Sequence, residues 1–179
     1  MAIEWDSLIE TDNDPDHVRF LREAYSYAWH HSDDISTKVG AVIVTPDFGH
    51  VISYGANHYS KRLCATEEER ADRNYKLGNI THAEPAAVYD AAKFGGPGVN
   101  EAIMYMPWVP CEPCAKAIIG AGIEMLVGHR DMIIKTPDDW WKDIEPALAR
   151  LKRCGIRFVM YDGKIGNVKA LFRGNVWEP

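Results

Sequence analysis

Two short segments of the chain hold residue types that can do chemistry at the spacing chemistry needs: His82-Ala83-Glu84 and Pro110-Cys111-Glu112-Pro113-Cys114. Residues three apart on a helix share a face, so Cys111 and Cys114 can aim both sulfurs at a single ion. His82 can supply a third ligand. Three protein ligands leave the fourth tetrahedral position of a zinc ion free for water, which separates a catalytic zinc site from a closed structural one. Glu84 lies two residues beyond His82. It can stand beside that water without ligating the metal, take its proton and hand it on. Cys-x-x-Cys alone reads equally as half a structural zinc site or as a redox pair. A structural site needs a fourth Cys or His nearby, and Cys64 and Cys154 are not spaced to provide it.

Both segments fall where the sequence predicts a helix to begin. Helix starts present unpaired N–H groups and partial positive charge, which favour the thiolate a metal needs. Ala83 to Phe94 reads as a helix stopped by Gly95-Gly96-Pro97, and Glu112 to Ala121 as a helix ended by Gly122. Earlier in the chain, Asp14-Pro15 is an N-cap followed by proline at the first helical position. The helix it opens runs to near His31, with Phe20, Leu21, Ala24 and Ala28 on one face. Lys38 to Thr45 and Val51 to Gly55 read as an antiparallel strand pair around the turn at 46–49. Strands follow at Ala102–Met106, Glu124–Gly128 and Ile156–Tyr161, with a helix from Thr136-Pro137 to Cys154 before the last. Strands alternating with helices predict a mainly parallel sheet covered on both faces. Residues 57–81 are charged and irregular, with one short helix expected around 66–73. Long connections of this kind are often functional. In the tail, Leu171, Phe172, Val176 and Trp177 predict packing against either the same domain or a neighbouring subunit.

Composition narrows the partners. The 179 residues suit a single domain with a real core. A net charge of -6 argues against a polynucleotide, whose backbone calls for a basic face. A single nucleotide needs only a few placed Arg or Lys residues. No apolar run approaches the roughly 20 residues of a membrane span. The opening Met1-Ala2-Ile3-Glu4-Trp5-Asp6 lacks the basic start and apolar stretch of a signal peptide. The expectation is therefore a cytoplasmic protein with no membrane partner, whose cysteines are thiols or metal ligands rather than disulfides.

His-x-Glu followed by Pro-Cys-x-x-Cys is the pairing found in zinc deaminases. On these residues the chain resembles the cytidine/deoxycytidylate deaminase superfamily, most closely its deoxycytidylate deaminases, from about Phe20 to about Tyr161. Ser36-Thr37-Lys38-Val39-Gly40-Ala41-Val42-Ile43-Val44 is similar to that group's first strand and its approach, and Gly55-Ala56-Asn57 to its Gly-x-Asn element. The charged stretch 69–76 resembles the segment before the catalytic histidine, and 118–123 the helix and turn after the cysteines. The resemblance implies an α/β fold, a three-layer α/β/α sandwich around a five-stranded mixed sheet. It implies one deaminase domain over 1–179, with a core at about 14–162 and a tail at 163–179. It implies zinc on His82, Cys111 and Cys114, and Glu84 as proton shuttle. Asn57 would hydrogen-bond the substrate at its sugar, the Ala83 N–H would meet the pyrimidine carbonyl, and carbonyls around Trp108 and Val109 would receive the exocyclic amine. The implied reaction is deoxycytidylate to deoxyuridylate plus ammonia, in a homo-oligomer open to control by a nucleoside triphosphate.

Other residues read two ways. Arg62, Arg70, Arg73 and Lys76 could bind a phosphate or form a solvated charged face. Tyr75 and Trp108 could stack on a base or simply pack. Two positions depart from the deoxycytidylate pattern: Ala86 stands where Asn is usual, and His58 where Gly is usual. These departures keep other substrates open, namely a modified cytosine nucleotide, guanine or a riboflavin-pathway pyrimidine. A non-catalytic zinc-bearing nucleotide sensor is a third reading, against which Glu84 argues, since a sensor has no use for a proton shuttle.

Overall fold

The structure is a computed structural model that describes residues 9–94, 96 and 98–179. The opening at 1–6, and Gly95 and Pro97 of the expected helix stop, lie outside the described residues. The elements run β1 (Glu10–Thr11), α1 (Pro15–His31), β2 (Gly40–Val44), β3 (Val51–Ala56), β4 (His58–Tyr59), a 3-10 turn (Lys61–Leu63), α2 (Glu67–Ala71), α3 (Arg73–Asn79), β5 (Ile80–Thr81) and α4 (Ala83–Phe94). They continue as β6 (Ile103–Tyr105), α5 (Glu112–Ala121), β7 (Met125–His129), α6 (Arg130–Ile133), α7 (Asp138–Arg153), β8 (Arg157–Tyr161), β9 (Ala170–Phe172) and β10 (Asn175–Trp177).

The strand interiors dictate three layers. Side chains alternate across a strand, and both sets here are apolar, so the sheet must be covered twice. Ala41 and Ile43 of β2, Met104 of β6, Leu126 of β7, and Phe158 and Met160 of β8 face α4, α5 and α7. Val42 and Val44, Ile103 and Tyr105, Val127 and Val159 face the other way, onto Phe20, Leu21, Ala24 and Tyr25 of α1. The main sheet has the order β1-β8-β7-β6-β2-β3. β2 is antiparallel to β3 and to β6, while β6, β7, β8 and β1 run parallel, so the sheet is mixed as expected. The parallel strands end on the side where α5 begins, which is where open sheets of this class place ligands.

The strand count is a correction. The five expected strands are all present, and β1 adds a sixth by pairing parallel to the edge of β8. A two-residue strand has no alternation to read, and its pairing is set by the free edge beside it. The connection at 57–81 is a second correction. It holds two helices, not one: Asp72 ends α2, and its side chain accepts from the Tyr75 N–H to start α3. β4 and β5 pair antiparallel and close this excursion at its base. The tail packs on its own chain. β9 and β10 form an antiparallel hairpin. Ala170 is buried against the α1 face of the sheet and Trp177 packs beside it. No described helix is long and apolar enough to cross a membrane.

Candidate active site

A glycine in β3 sets the position of α4. A Cβ on Gly55 would lie 2.1 Å from the Ala83 carbonyl oxygen and 2.4 Å from the Ala87 nitrogen. Helix and strand therefore touch backbone to backbone, an approach open only to a residue without a side chain. This contact sets His82, Ala83 and Glu84 at the end of the sheet. Cys111 occupies the N-cap of α5, its carbonyl accepting from the Ala115 N–H at 2.9 Å. Cys114 follows in the first turn.

The three donors converge. His82 Nδ1 lies 3.4 Å from Cys111 Sγ and 3.3 Å from Cys114 Sγ, and the two sulfurs are 3.5 Å apart. A tetrahedral zinc with bonds of about 2.0 to 2.3 Å spaces its ligand atoms about 3.5 to 3.8 Å apart, so the triangle fits one ion. These are the His and Cys groups that could hold a metal among the described residues. The three donors share protons through their mutual hydrogen bonds, and a metal that binds them releases those protons. A hydrogen bond from Cys114, aided by His82, pulls the Cys111 thiol down to about 4. The hydrogen bond with Cys111, and burial, push the Cys114 thiol up. The bond to Cys111 lifts His82 to about 9. Glu84, only 4% exposed, has its carboxyl raised above the usual range by burial.

A cavity of about 500 Å³ opens over this cluster, within the usual range of about 300 to 1,000 Å³ for small-molecule sites. His82, Ala83, Glu84 and Cys111 line its protein end together with Val109. Trp108 forms an aromatic wall. Its indole N–H donates to Thr136 Oγ1 at 2.7 Å, its ring is 5.5 Å from Trp140, and Phe172 meets it edge-on at 5.2 Å. The Trp108 side chain is thus held in place, and its ring is the surface it offers.

The structure brings most of the expected site residues to this cavity. Ala83, Trp108, Val109, Asn57 and Arg73 line it, as do Arg70 and Lys76. Tyr75 and Arg62 are not among its lining residues. Tyr75 turns toward Tyr59, with ring centroids 6.3 Å apart. Asn57 is fully engaged by the protein. It accepts from Ser32 Oγ at 2.6 Å and the Val39 N–H at 2.9 Å, and donates to Thr37 O at 2.8 Å and Asp34 Oδ2 at 3.2 Å. An amide has two donors and two acceptor lone pairs, so Asn57 shapes the 32–39 loop with its full capacity.

Sequence reasoning missed three contributors. Asp34 is buried on the cavity wall and accepts from the Ser36 and Thr37 N–H groups. An Asp two residues before a Ser is a common turn signal, but nothing in it points to a site. Phe172 and Arg173 arrive from the tail hairpin. The apolar residues of the tail signalled packing; the cavity they would reach was not legible.

Comparison with known proteins agrees with the geometry. The family model described as the cytidine and deoxycytidylate deaminase zinc-binding region matches residues 14–129. The deoxycytidylate deaminases of enterobacteria phages T2 and T4 are each 36% identical to this chain over 76 residues. That stretch is 42% of this chain and 39% and 38% of the two phage proteins, so the match spans about two fifths of the relatives' own length. Among solved structures, dCMP deaminase from the cyanophage S-TIM5 in apo form superposes with a TM-score of 0.59 at 18% identity, over 83% of this chain and 99% of that one. The same enzyme in complex with dCMP and dUMP gives 0.58 at 19% identity, over 81% and 94%. At that identity the likeness is one of fold.

Proposed function

Because this chain belongs to the cytidine and deoxycytidylate deaminase family, we propose that it is a zinc-dependent hydrolase that removes the amino group of a free cytosine nucleotide, deoxycytidylate foremost, to give deoxyuridylate and ammonia. The observation that carries this reading is the meeting of His82 Nδ1, Cys111 Sγ and Cys114 Sγ beside the buried carboxyl of Glu84, where they adjoin a cavity of about 500 Å³. Zinc held by those three atoms supplies the Lewis acidity that makes a water nucleophilic near neutral pH. The remaining work belongs to the chain. Glu84 takes the proton of the attacking water and delivers it first to the ring nitrogen and then to the departing amine. Burial suits it to both tasks, since a carboxyl raised above its usual range accepts and releases a proton at small cost. The Ala83 N–H, one of the unpaired donors at the start of α4, orients the pyrimidine carbonyl. Backbone carbonyls at Trp108 and Val109 receive the amine. Trp108 and Phe172 cover the base and keep bulk water out.

The phage relatives support a deoxycytidylate substrate, as does the cyanophage enzyme of similar fold with dCMP and dUMP bound. The reading takes 1–179 as one domain acting on a small molecule. The experiment is a panel: the zinc-loaded protein is given deoxycytidylate, cytidylate, deoxycytidine and guanine, and ammonia release is followed with the ultraviolet change at the base. Release from the cytosine nucleotides, fastest from deoxycytidylate, is expected. Release from guanine alone, or from none of them, overturns the proposal.

A further inference from the structure

Four cationic side chains line the cavity: Arg70, Arg73, Lys76 and Arg173. Two are already committed. Lys76 Nζ sits 2.6 Å from Asp34 Oδ2 and 2.8 Å from Ser36 Oγ. Arg70 donates through Nε to the Ala65 carbonyl at 3.2 Å and lies over the Tyr59 ring, 5.6 Å from its centroid. Arg73 and Arg173 are exposed, and among the described residues neither has a carboxylate within ion-pair distance. Their settings differ. Arg73 also borders a neighbouring depression with Asp139 and Asp143, whose charges offset part of its own. Arg173 does not border that depression.

Arg173 is also the better anchored. It sits in the turn between β9 and β10 with φ of 50°, followed by Gly174 at 79°, so the turn has a defined left-handed form. Its N–H donates to Thr37 Oγ1 at 3.1 Å, and the Gly174 N–H donates to Ser36 O at 2.8 Å. On the other side, the Lys38 N–H donates to Leu171 O at 2.9 Å. The hairpin is thereby stitched to the 34–38 loop, the same loop that Asn57 and Asp34 shape. The neighbouring Phe172 is buried against Trp108. The backbone that carries this guanidinium is fixed, so only side-chain freedom is given up when it meets an anion, and its fork matches phosphate oxygens. On a chain of net charge -6, an exposed cation without an ion-pair partner in the cavity lining also draws an anionic ligand to this face over the rest of the surface.

We propose that Arg173, carried by the C-terminal hairpin, receives the phosphate of the substrate and so makes this site select a nucleotide over a nucleoside. The residue lies beyond the family-matched segment, which ends at 129. The inference rests on the proposed function for the identity of the base and adds the residue that reads the other end of the ligand.

The test compares wild type, R173Q, R173K and, as a charge control on the exposed end of α7, R153Q. The first readout is the ratio of kcat/KM for deoxycytidylate to that for deoxycytidine. R173Q is expected to lower this ratio about ten-fold or more, mainly through KM for the nucleotide, as loss of a charge-assisted phosphate contact should. R173K is expected to restore part of it, and R153Q to leave it unchanged. The second readout is calorimetric binding of dUMP and of deoxyuridine, which requires no turnover. R173Q should weaken dUMP and leave the dUMP preference small. An unchanged ratio, or equal losses for nucleotide and nucleoside in both readouts, overturns the proposal. If no cytosine compound yields ammonia, the proposed reaction fails, while the binding comparison still decides the role of Arg173.

Discussion

Lys76 reaches from α3 to the buried carboxylate of Asp34, Nζ to Oδ2 at 2.6 Å, and ties the 57–81 excursion to the 34–38 loop in the lining of the cavity. The Asp34 side chain is 3% exposed and that of Lys76 is 21% exposed. Removing one partner of such a pair leaves the other poorly solvated. K76M is expected to cost about 2 kcal/mol, below the range for a fully buried pair because water still reaches Lys76. It should also raise KM, since the wall it secures loosens. Urea denaturation and steady-state kinetics check both. An unchanged midpoint with unchanged KM would show that the pair does not hold the wall.

Gly55 carries a second prediction. G55A forces a methyl group into the backbone of α4, at Ala83 and Ala87, so the strand and the helix must part. Overpacking of this kind costs about 3 kcal/mol where the neighbour is backbone and cannot rotate away. The shift also displaces His82 from the two sulfurs, so weaker zinc retention during dialysis against a chelator is expected. Full zinc retention in a stably folded G55A would contradict this account of how the site is positioned.

A third prediction concerns pH. His129 is fully buried, and its neutral form is fully hydrogen-bonded: Nδ1 accepts from the Tyr25 hydroxyl at 2.8 Å and Nε2 donates to Gly163 O at 2.9 Å. Burial lowers its pKa below the ordinary histidine value. Between that depressed value and the unfolded value of about 6.5, the unfolded chain binds the extra proton. Stability from this residue is therefore complete above about pH 6.5 and is lost as pH falls, by at most about 1.4 kcal/mol per pH unit. H129Q should flatten the slope of unfolding free energy between pH 6.5 and the folded value, measured as the difference from wild type. Parallel slopes would remove His129 as the source.

The aromatic wall yields a fourth. T136V removes the acceptor of the Trp108 N–H and the hydroxyl that donates to Ile133 O at 2.6 Å. Leaving a partly buried indole N–H unpaired costs about 1 to 3 kcal/mol. Because Trp108 covers the base in the proposed reaction, KM should rise more than kcat falls. A kcat loss with KM unchanged would assign Trp108 to the chemical step instead.

What could be read from the sequence, and what could not, divides along a physical line. The cluster of His82, Cys111 and Cys114 with Glu84 was legible because each pair obeys a local rule. Cys111 and Cys114 are one helical turn apart, and His82 and Glu84 bracket a helix start. Four of the five main strands, β2, β6, β7 and β8, were legible because both their faces are apolar over short runs, and β3 because a short turn pairs it with β2. Contacts made by loops across long separations had no such rule. Lys76 with Asp34, Arg173 with Thr37, and the Asn57 amide with four partners depend on how the finished sheet brings loops together. The break between α2 and α3 was missed for a smaller reason: Asp72 looked like one more charge in a charged run, and its capping of the Tyr75 N–H shows only in three dimensions.

Metal content tests the central claim most directly. Purified wild-type protein, its C114S variant and its E84Q variant are measured by elemental analysis after dialysis against zinc-free buffer. The arrangement of His82, Cys111 and Cys114 predicts one zinc per chain in wild type and in E84Q, with that zinc lost in C114S. A native protein that holds no zinc even after zinc is supplied, or a C114S protein that keeps its full complement, would contradict the account.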